Sequence, residues 1–217
     1  GRGRAGDGRD SVILALDTSG DRAVVALTDD TGATRFAGVG SRPRAHAEEL
    51  APLVAQALAV GPATAVVAGR GPGSFTGLRV GLAFAGVFGW ARGIPVKGVC
   101  SLDPVAVATG LADGWVVLDA RRGELFAAPY RAGVRAEPPV VLPRAEAVGL
   151  IGAQRAVGDT ELLTSDDRRS RGTTVIDPDA LATSAARVLA TGADGSLQPD
   201  YLRRPDVTWS SAHGVRP

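Results

Sequence analysis

Residues 65–92 read AVVAGRGPGSFTGLRVGLAFAGVFGWAR, and the fold turns on this stretch. Ala65 to Ala68 form a short apolar run of buried-strand type, Gly69 to Gly73 a glycine-rich turn, and about Phe75 to Arg92 a long apolar helix. A strand feeding a glycine turn and then a helix N-terminus can present backbone N–H groups to an anion, which makes Gly71 and Gly73 candidate phosphate contacts. As a nucleotide motif the segment is weak. It lacks the Lys-Ser/Thr pair of a P-loop, and Gly71-x-Gly73 lacks the third glycine of a dinucleotide fingerprint. Ser74 has Pro72 and Thr76 two residues to either side, so the nucleophile-elbow pattern fails and Ser74 reads as a helix N-cap.

The helix itself has an unusual composition. Gly77, Gly81, Ala85 and Gly89 recur every four residues, although each interior glycine costs about 1 kcal/mol relative to alanine. Such a row lets another backbone approach closely. The opposite arc carries Val80, Phe84, Val87 and Ala91, and Arg79 is the one charge between Gly77 and Ala91. A helix apolar all round is expected to be covered on both sides. The chain's own sheet supplies one cover; the other is the helix at residues 43 to 60 or, as the favoured reading, a second protein.

Upstream, residues 12–16 (VILAL), 23–27 (AVVAL) and 34–39 (TRFAGV) predict a three-strand antiparallel meander, with Ser19-Gly20-Asp21 and Asp29-Asp30-Thr31-Gly32 as turns. From Pro43 to Val60 the period becomes helical: His46, Leu50, Leu53, Val54 and Ala57 share a stripe, Pro43 suits the first turn, and Pro52 should bend the helix. Downstream come a strand at 95–99 and a helix opened by Ser101. The second half then starts again, with strands at 115–118 and 125–128. Leu118-Asp119 with Gly123 echoes Leu16-Asp17 with Gly20, a weak internal duplication. Strands near 134–142, 156–158 and 175–176 and a helix over 179–190 would complete a smaller second copy, and 161–172 reads as a solvated charged loop. The expected class is therefore α/β, with mixed sheets covered by helices. The expected organisation is an arm at 1–10, a first lobe at 11–110, a smaller lobe at 111–200 and a closing segment at 201–217.

Composition limits the function. The chain has 217 residues, is 45% hydrophobic and carries a net charge of +1, and its 24 basic residues are arginines except Lys97. That balance does not predict the basic face of an autonomous nucleic-acid binder. One cysteine, Cys100, excludes an intrachain disulfide and fits a reducing compartment, so a cytoplasmic location is expected. The longest uncharged apolar stretch, Val80 to Ala91, falls short of the roughly 20 residues that span a bilayer. Asp17 and Asp119, each ending a strand before a turn, are candidate metal or phosphate residues and equally turn aspartates. With two histidines, His46 and His213, neither a zinc site nor a cysteine–histidine pair is indicated.

ILALDTS at 13–19, HAEELAPLVAQAL at 46–58, GRGPGSFTGLRVG at 69–81, IPVKGVCSLDPVA at 94–106, LDARRGELF at 118–126 and YLRRPD at 201–206 together closely resemble the bacterial TsaB family, also called YeaZ. The resemblance implies an actin/Hsp70/sugar-kinase-like fold of two related lobes. It implies a part in making threonylcarbamoyladenosine in tRNA, where TsaD transfers the threonylcarbamoyl group, TsaB is its dimerisation partner and TsaE is an ATPase. It further implies a noncatalytic chain that binds no cofactor itself, with ATP and a metal on partner subunits and tRNA reached through the complex. Arg203 and Arg204 read equally as tRNA contacts and as surface residues flanking a closing strand. The metal-binding His-x-x-x-His of the catalytic sister family aligns with Ser101 and Val105, which cannot replace it. In the family the first two helices pair with the same helices of TsaD or of a second TsaB. The expected contacts are therefore His46, Leu50, Leu53, Val54, Gly77, Arg79, Gly81, Ala85 and Phe88, and Gly81→Arg is expected to weaken TsaD binding without unfolding the chain. A rival of the same fold is an ATP-dependent phosphotransferase using Asp17, Gly71, Gly73 and Asp119 around magnesium. A peptidase, the older glycoprotease label, has the least support.

Overall fold

The alternation of the first strand sorts the core into two layers. In β1 (Val12–Asp17), Leu14 and Leu16 face one side and Ile13 and Ala15 the other, and all six residues are buried. A strand covered on both faces is apolar along its covered length, as this one is from Val12 to Leu16; its last residue is the buried Asp17. The computed structural model describes residues 11–202 apart from Asp166, Arg168, Ala193 and Asp194. The N-terminal arm, Arg203, Arg204 and His213 lie outside the described residues.

β1 pairs antiparallel with β2 (Val24–Asp29) and parallel with β4 (Ala65–Gly69). β3 (Thr34–Val39) lies outside β2 and β5 (Val96–Val99) outside β4, giving the order β3-β2-β1-β4-β5. Helices α1 (His46–Val60) and α2 (Phe75–Arg92) cover the Leu14/Leu16 face. Pro43 sits in the turn before α1 rather than in its first helical turn, while Pro52 lies inside the helix. The Ser74 hydroxyl caps α2 by accepting from Gly77 N at 3.1 Å, and Gly93 ends it at φ +64, the left-handed backbone that glycine adopts at least cost.

The second sheet repeats the plan. β6 (Gly114–Arg121) pairs antiparallel with β7 (Glu124–Arg131) and parallel with β10 (Ala156–Gly158), and helix α4 (Arg144–Ile151) precedes that parallel strand as α1 precedes β4. The outer place is shared by β8 (Val134–Arg135) and β9 (Val140–Pro143). The single strand expected near 134–142 is broken at Glu137-Pro138-Pro139, where proline has no N–H for a ladder. A short 3-10 turn, Thr160–Leu163, stands where the first copy has its long α2.

The remaining helices exchange lobes. α3 (Asp103–Ala108) follows β5 but packs Val105 and Ala106 against Val116, Ala128 and Tyr130 of the second sheet. It begins two residues beyond the expected Ser101. α5 (Pro178–Thr191), expected to complete the second copy, instead covers the Ile13/Ala15 face of the first sheet through Leu181, Ala182 and Ala185. Val175 and Ile176 form no strand; Ile176 is buried in the α5 layer. Among the described residues no helix is long and apolar enough to cross a membrane.

Candidate functional site

At the end of β1 the chain buries a carboxylate and surrounds it with donors. Asp17 Oδ1 accepts from Ser19 N at 2.7 Å and Ser19 Oγ at 2.6 Å, and Oδ2 accepts from Ser101 Oγ at 2.7 Å. Burial raises the Asp17 pKa above its ordinary value against the opposing pull of these donors. Ser101 also accepts from Gly71 N at 3.1 Å and donates its own N–H to Gly71 O at 2.8 Å. Asp17 thereby seats the GRGPG turn on the end of β1. Any Cβ at Gly69 would run into that carboxylate, and one at Gly73 would stand 2.7 Å from Ser19 Cα. Ser74 N donates to Ser19 O at 2.9 Å. The Gly71 donor and both Asp17 oxygens are engaged within the chain, and glycine at 69 and 73 answers close packing, so this geometry adds nothing for the grouping of Asp17, Gly71 and Gly73 as phosphate or magnesium residues.

Asp119 holds the corresponding place in the second lobe and is likewise engaged. Its Oδ1 accepts from Arg121 N at 2.8 Å, and its Oδ2 from Arg121 Nη1 and Gly172 N, each at 3.1 Å. Asp159, just after β10, accepts from Asp119 N and Thr174 N, each at 2.8 Å. Arg121 then reaches across the lobes, its Nη2 donating to Asp21 Oδ1 at 2.6 Å. Between the lobes lies a cleft of about 750 Å³, lined by the β1–β2 turn, the start of α2, the β6–β7 turn, Thr173–Val175 and Tyr201. Sequence reasoning missed Asp21, Arg121 and Asp159 and took Ser101 for a cap. Asp159 follows a strand as Asp17 and Asp119 do, a signal the duplication offered.

The glycine-faced helix points the other way from the expectation. Gly77 and Gly81 lie against Thr18, whose Oγ1 donates to Gly77 O at 2.7 Å, and Gly89 lies against Val96. Gly77, Gly81 and Ala85 are buried against the chain's own sheet and so are corrected as partner contacts. Leu50 and Val54 are corrected likewise, being inside the first core, and Leu53 is half-buried against it. His46 is buried with Nε2 3.0 Å from Gly20 O, tying the start of α1 to the β1–β2 turn rather than facing outward. Phe88 is half-buried, stacked on Phe84 with ring centres 5.9 Å apart, and Arg92 lies over its ring. Arg79 is exposed above Phe75.

Outward, α2 presents Val87, 67% exposed, and Trp90, 85% exposed, with Ala83 and Ala91 also exposed and Val80 and Phe84 half-buried beside them. Trp90 was absent from the sequence-derived contacts. On α1 the exposed residues include Ala47, Ala51, Ala55 and Ala59, a row repeating every four positions, and Val60 at its end. An exposed apolar face of this kind on a folded chain is suited to protein contact.

Chemistry of other kinds finds little footing. Among the described residues no group of three or more His, Cys, Asp and Glu side chains is placed to hold a metal ion. Burial pushes the Cys100 thiol up to about 12, so it stays protonated and unreactive at neutral pH. Ser101 is committed to Asp17, and Val105 is buried in the second core.

The family described as "TsaD: tRNA N6-adenosine threonylcarbamoyltransferase" matches residues 26–148. An uncharacterised protein of Mycobacterium tuberculosis is 39% identical over 214 residues, covering 91% of this chain and 94% of that protein. One from Mycobacterium leprae matches at the same identity and share of this chain, but there the chain spans 56% of the relative. The tRNA threonylcarbamoyladenosine biosynthesis protein TsaB of Escherichia coli is 34% identical over 128 residues, 55% of this chain and 54% of that protein. The structure of YeaZ from Pseudomonas aeruginosa superposes with a TM-score of 0.66 at 25% identity, over 88% of this chain and 100% of that one. The two-lobed architecture is that of the actin/Hsp70/sugar-kinase group. By sequence and by fold, the chain belongs to the TsaB/YeaZ family.

Proposed function

We propose that this chain is a noncatalytic docking subunit in tRNA threonylcarbamoyladenosine biosynthesis, presenting the outer face of α1 and α2 to a TsaD-type transferase. The observation that carries the reading is the exposed Val87–Trp90 face, since a tryptophan 85% in water on an otherwise ordered helix is a costly feature in a chain with no partner. The engagement of Asp17, Asp119, Gly71 and Ser101 in internal bonds supports a structural rather than a catalytic use of those residues. In this reading TsaE joins the pair, a second copy of this chain competes for the same helices, tRNA is met through the complex, and ATP and metal sit on the partner subunits.

The test is light scattering after size exclusion of this chain, the cognate TsaD and their mixture. A mixed species is expected, and Trp90→Glu or Val87→Glu should weaken it at least about tenfold, as removal of a central aromatic anchor does. Both side chains are exposed, so these variants keep the fold, whereas the buried Gly81 cannot report on docking. Unchanged capture by both variants would sink the reading.

A further inference from the structure

Residues 195–202 form a strap that returns to the first lobe and ends on the first turn of α2. Asp200 N donates to Arg70 O at 2.8 Å, and Arg70 Nη1 donates to Asp200 Oδ1 at 2.6 Å, a largely buried ion pair. Gly98 N donates to Gly195 O at 3.3 Å, and Leu197 packs on the first core. Fixed in this way, the strap lays the Tyr201 ring 4.9 Å from that of Phe75, and the Arg79 guanidinium stands 5.0 Å from the centre of the same Phe75 ring. From Phe75, the exposed Arg79, Ala83 and Val87 follow at four-residue steps and Trp90 three further on, so all five share one side of the helix. α2 contains no acidic residue. Of the acids on adjoining elements, Asp200 is held by Arg70, Asp21 and Asp119 by Arg121, and Glu49 by Ser41 and Arg42, while Glu48, exposed on α1, pairs with no described arginine. Among the described residues no carboxylate pairs with Arg79.

We propose that the docking face extends past the helices onto the strap, and that its Phe75–Arg79–Tyr201 end receives a carboxylate of the docking partner. This rests on the docking reading above and adds the chemistry the partner must bring. Val87 and Trp90 are the apolar centre of the face, and Arg79 is an unpaired charge on its rim, about 17 Å along the helix axis from Trp90. The fitting partner is therefore an apolar surface with an acidic side chain about that far from the point that meets Trp90; a basic side chain there is repelled. A guanidinium already resting on a ring loses little freedom when it binds, and its planar fork takes both oxygens of a carboxylate. Tyr201, held through its neighbour Asp200, acts as a positioning residue that steadies Phe75 beneath Arg79.

Stopped-flow association and dissociation of the full chain with the cognate TsaD, at salt from about 50 to 300 mM, tests this. Association should slow as salt rises. Arg79→Gln should slow it about three- to tenfold at low salt and flatten the salt dependence, whereas Arg79→Lys, which keeps the charge, should keep that dependence. Tyr201→Ala should speed dissociation about threefold with the salt dependence intact, and Tyr201→Phe, which keeps the ring, should match the parent chain. Arg79 and Tyr201 are both exposed, so these variants keep the fold. Trp90→Glu separates the two ideas. If it weakens the mixed species while Arg79→Gln leaves the rate and its salt dependence unchanged, the acid-receiving site is overturned and the docking face stands. Tyr201→Ala kinetics identical to those of the parent likewise overturn the extension onto the strap. If no mixed species forms at all, the docking reading falls and this site falls with it.

Discussion

Asp17 shows how a residue that looks catalytic becomes structural. Its strand-end position before a turn suited a metal or phosphate ligand equally well, and nothing local decided the question. The deciding partner is Ser101, 84 positions along the chain, which a single sequence does not bring near. The consequence is measurable through pH. Folding raises the Asp17 pKa from 3.8, so the folded chain binds this proton more tightly than the unfolded one. The associated stability is present below the unfolded value and is lost as pH rises through the folded one; burial makes the ionised form the costly one, and the Ser101 and Ser19 hydrogen bonds, with His46 last, oppose the shift. Asp17→Asn carries no such loss and keeps an acceptor for Ser19. Its melting temperature should therefore gain on that of the parent chain between about pH 4 and pH 7. Thermal melts across that range check it; a difference that stays constant or narrows would refute the assignment.

At the scale of elements, periodicity found the three-strand meander, α1, β4 and α2, because each strand or helix imposes its own spacing on buried residues. It also showed that α2 is apolar on every side, and for that reason it gave no direction to the helix. Which side met the sheet depended on Thr18 and Val96, which need glycine at 77, 81 and 89. The close approach inferred from the glycine row exists, but with the chain's own strands. Glycine substitutions should divide accordingly. Gly81→Ala and Gly77→Ala place a methyl group into Thr18 and should destabilise the fold by about 1–3 kcal/mol. Gly86 sits in the same helix with nothing within 4 Å of an added Cβ, so Gly86→Ala should stabilise by about 0.5–1 kcal/mol. Urea unfolding of the three variants makes the comparison, and equal shifts at 81 and 86 would mean that helix propensity, not the Thr18 contact, governs the row.

For the whole molecule, the sequence reading placed the lobes in chain order, and the packing does not respect that order. α3 completes the core of the second sheet and α5 that of the first, and the two helices touch each other. The segment before Leu202 also returns to the first lobe, where Gly98 N donates to Gly195 O at 3.3 Å, Asp200 N to Arg70 O at 2.8 Å, and Arg70 Nη1 to Asp200 Oδ1 at 2.6 Å. Such crossings were illegible because strand and helix periods say which face is apolar, never which sheet will cover it. They predict that neither lobe holds its structure without the other. Trp90 reports on the first lobe and Trp115, buried in the second, on its partner. In variants that carry Trp209→Phe together with Trp90→Phe or Trp115→Phe, the one tryptophan left should report the same midpoint in urea in both cases. Leu181→Ala, a cavity in the α5 layer, should cost about 2–5 kcal/mol and lower both midpoints together. A Trp115 signal that keeps its midpoint while the Trp90 signal shifts would show that the lobes unfold independently, and that the helix exchange joins them in space without joining their stability.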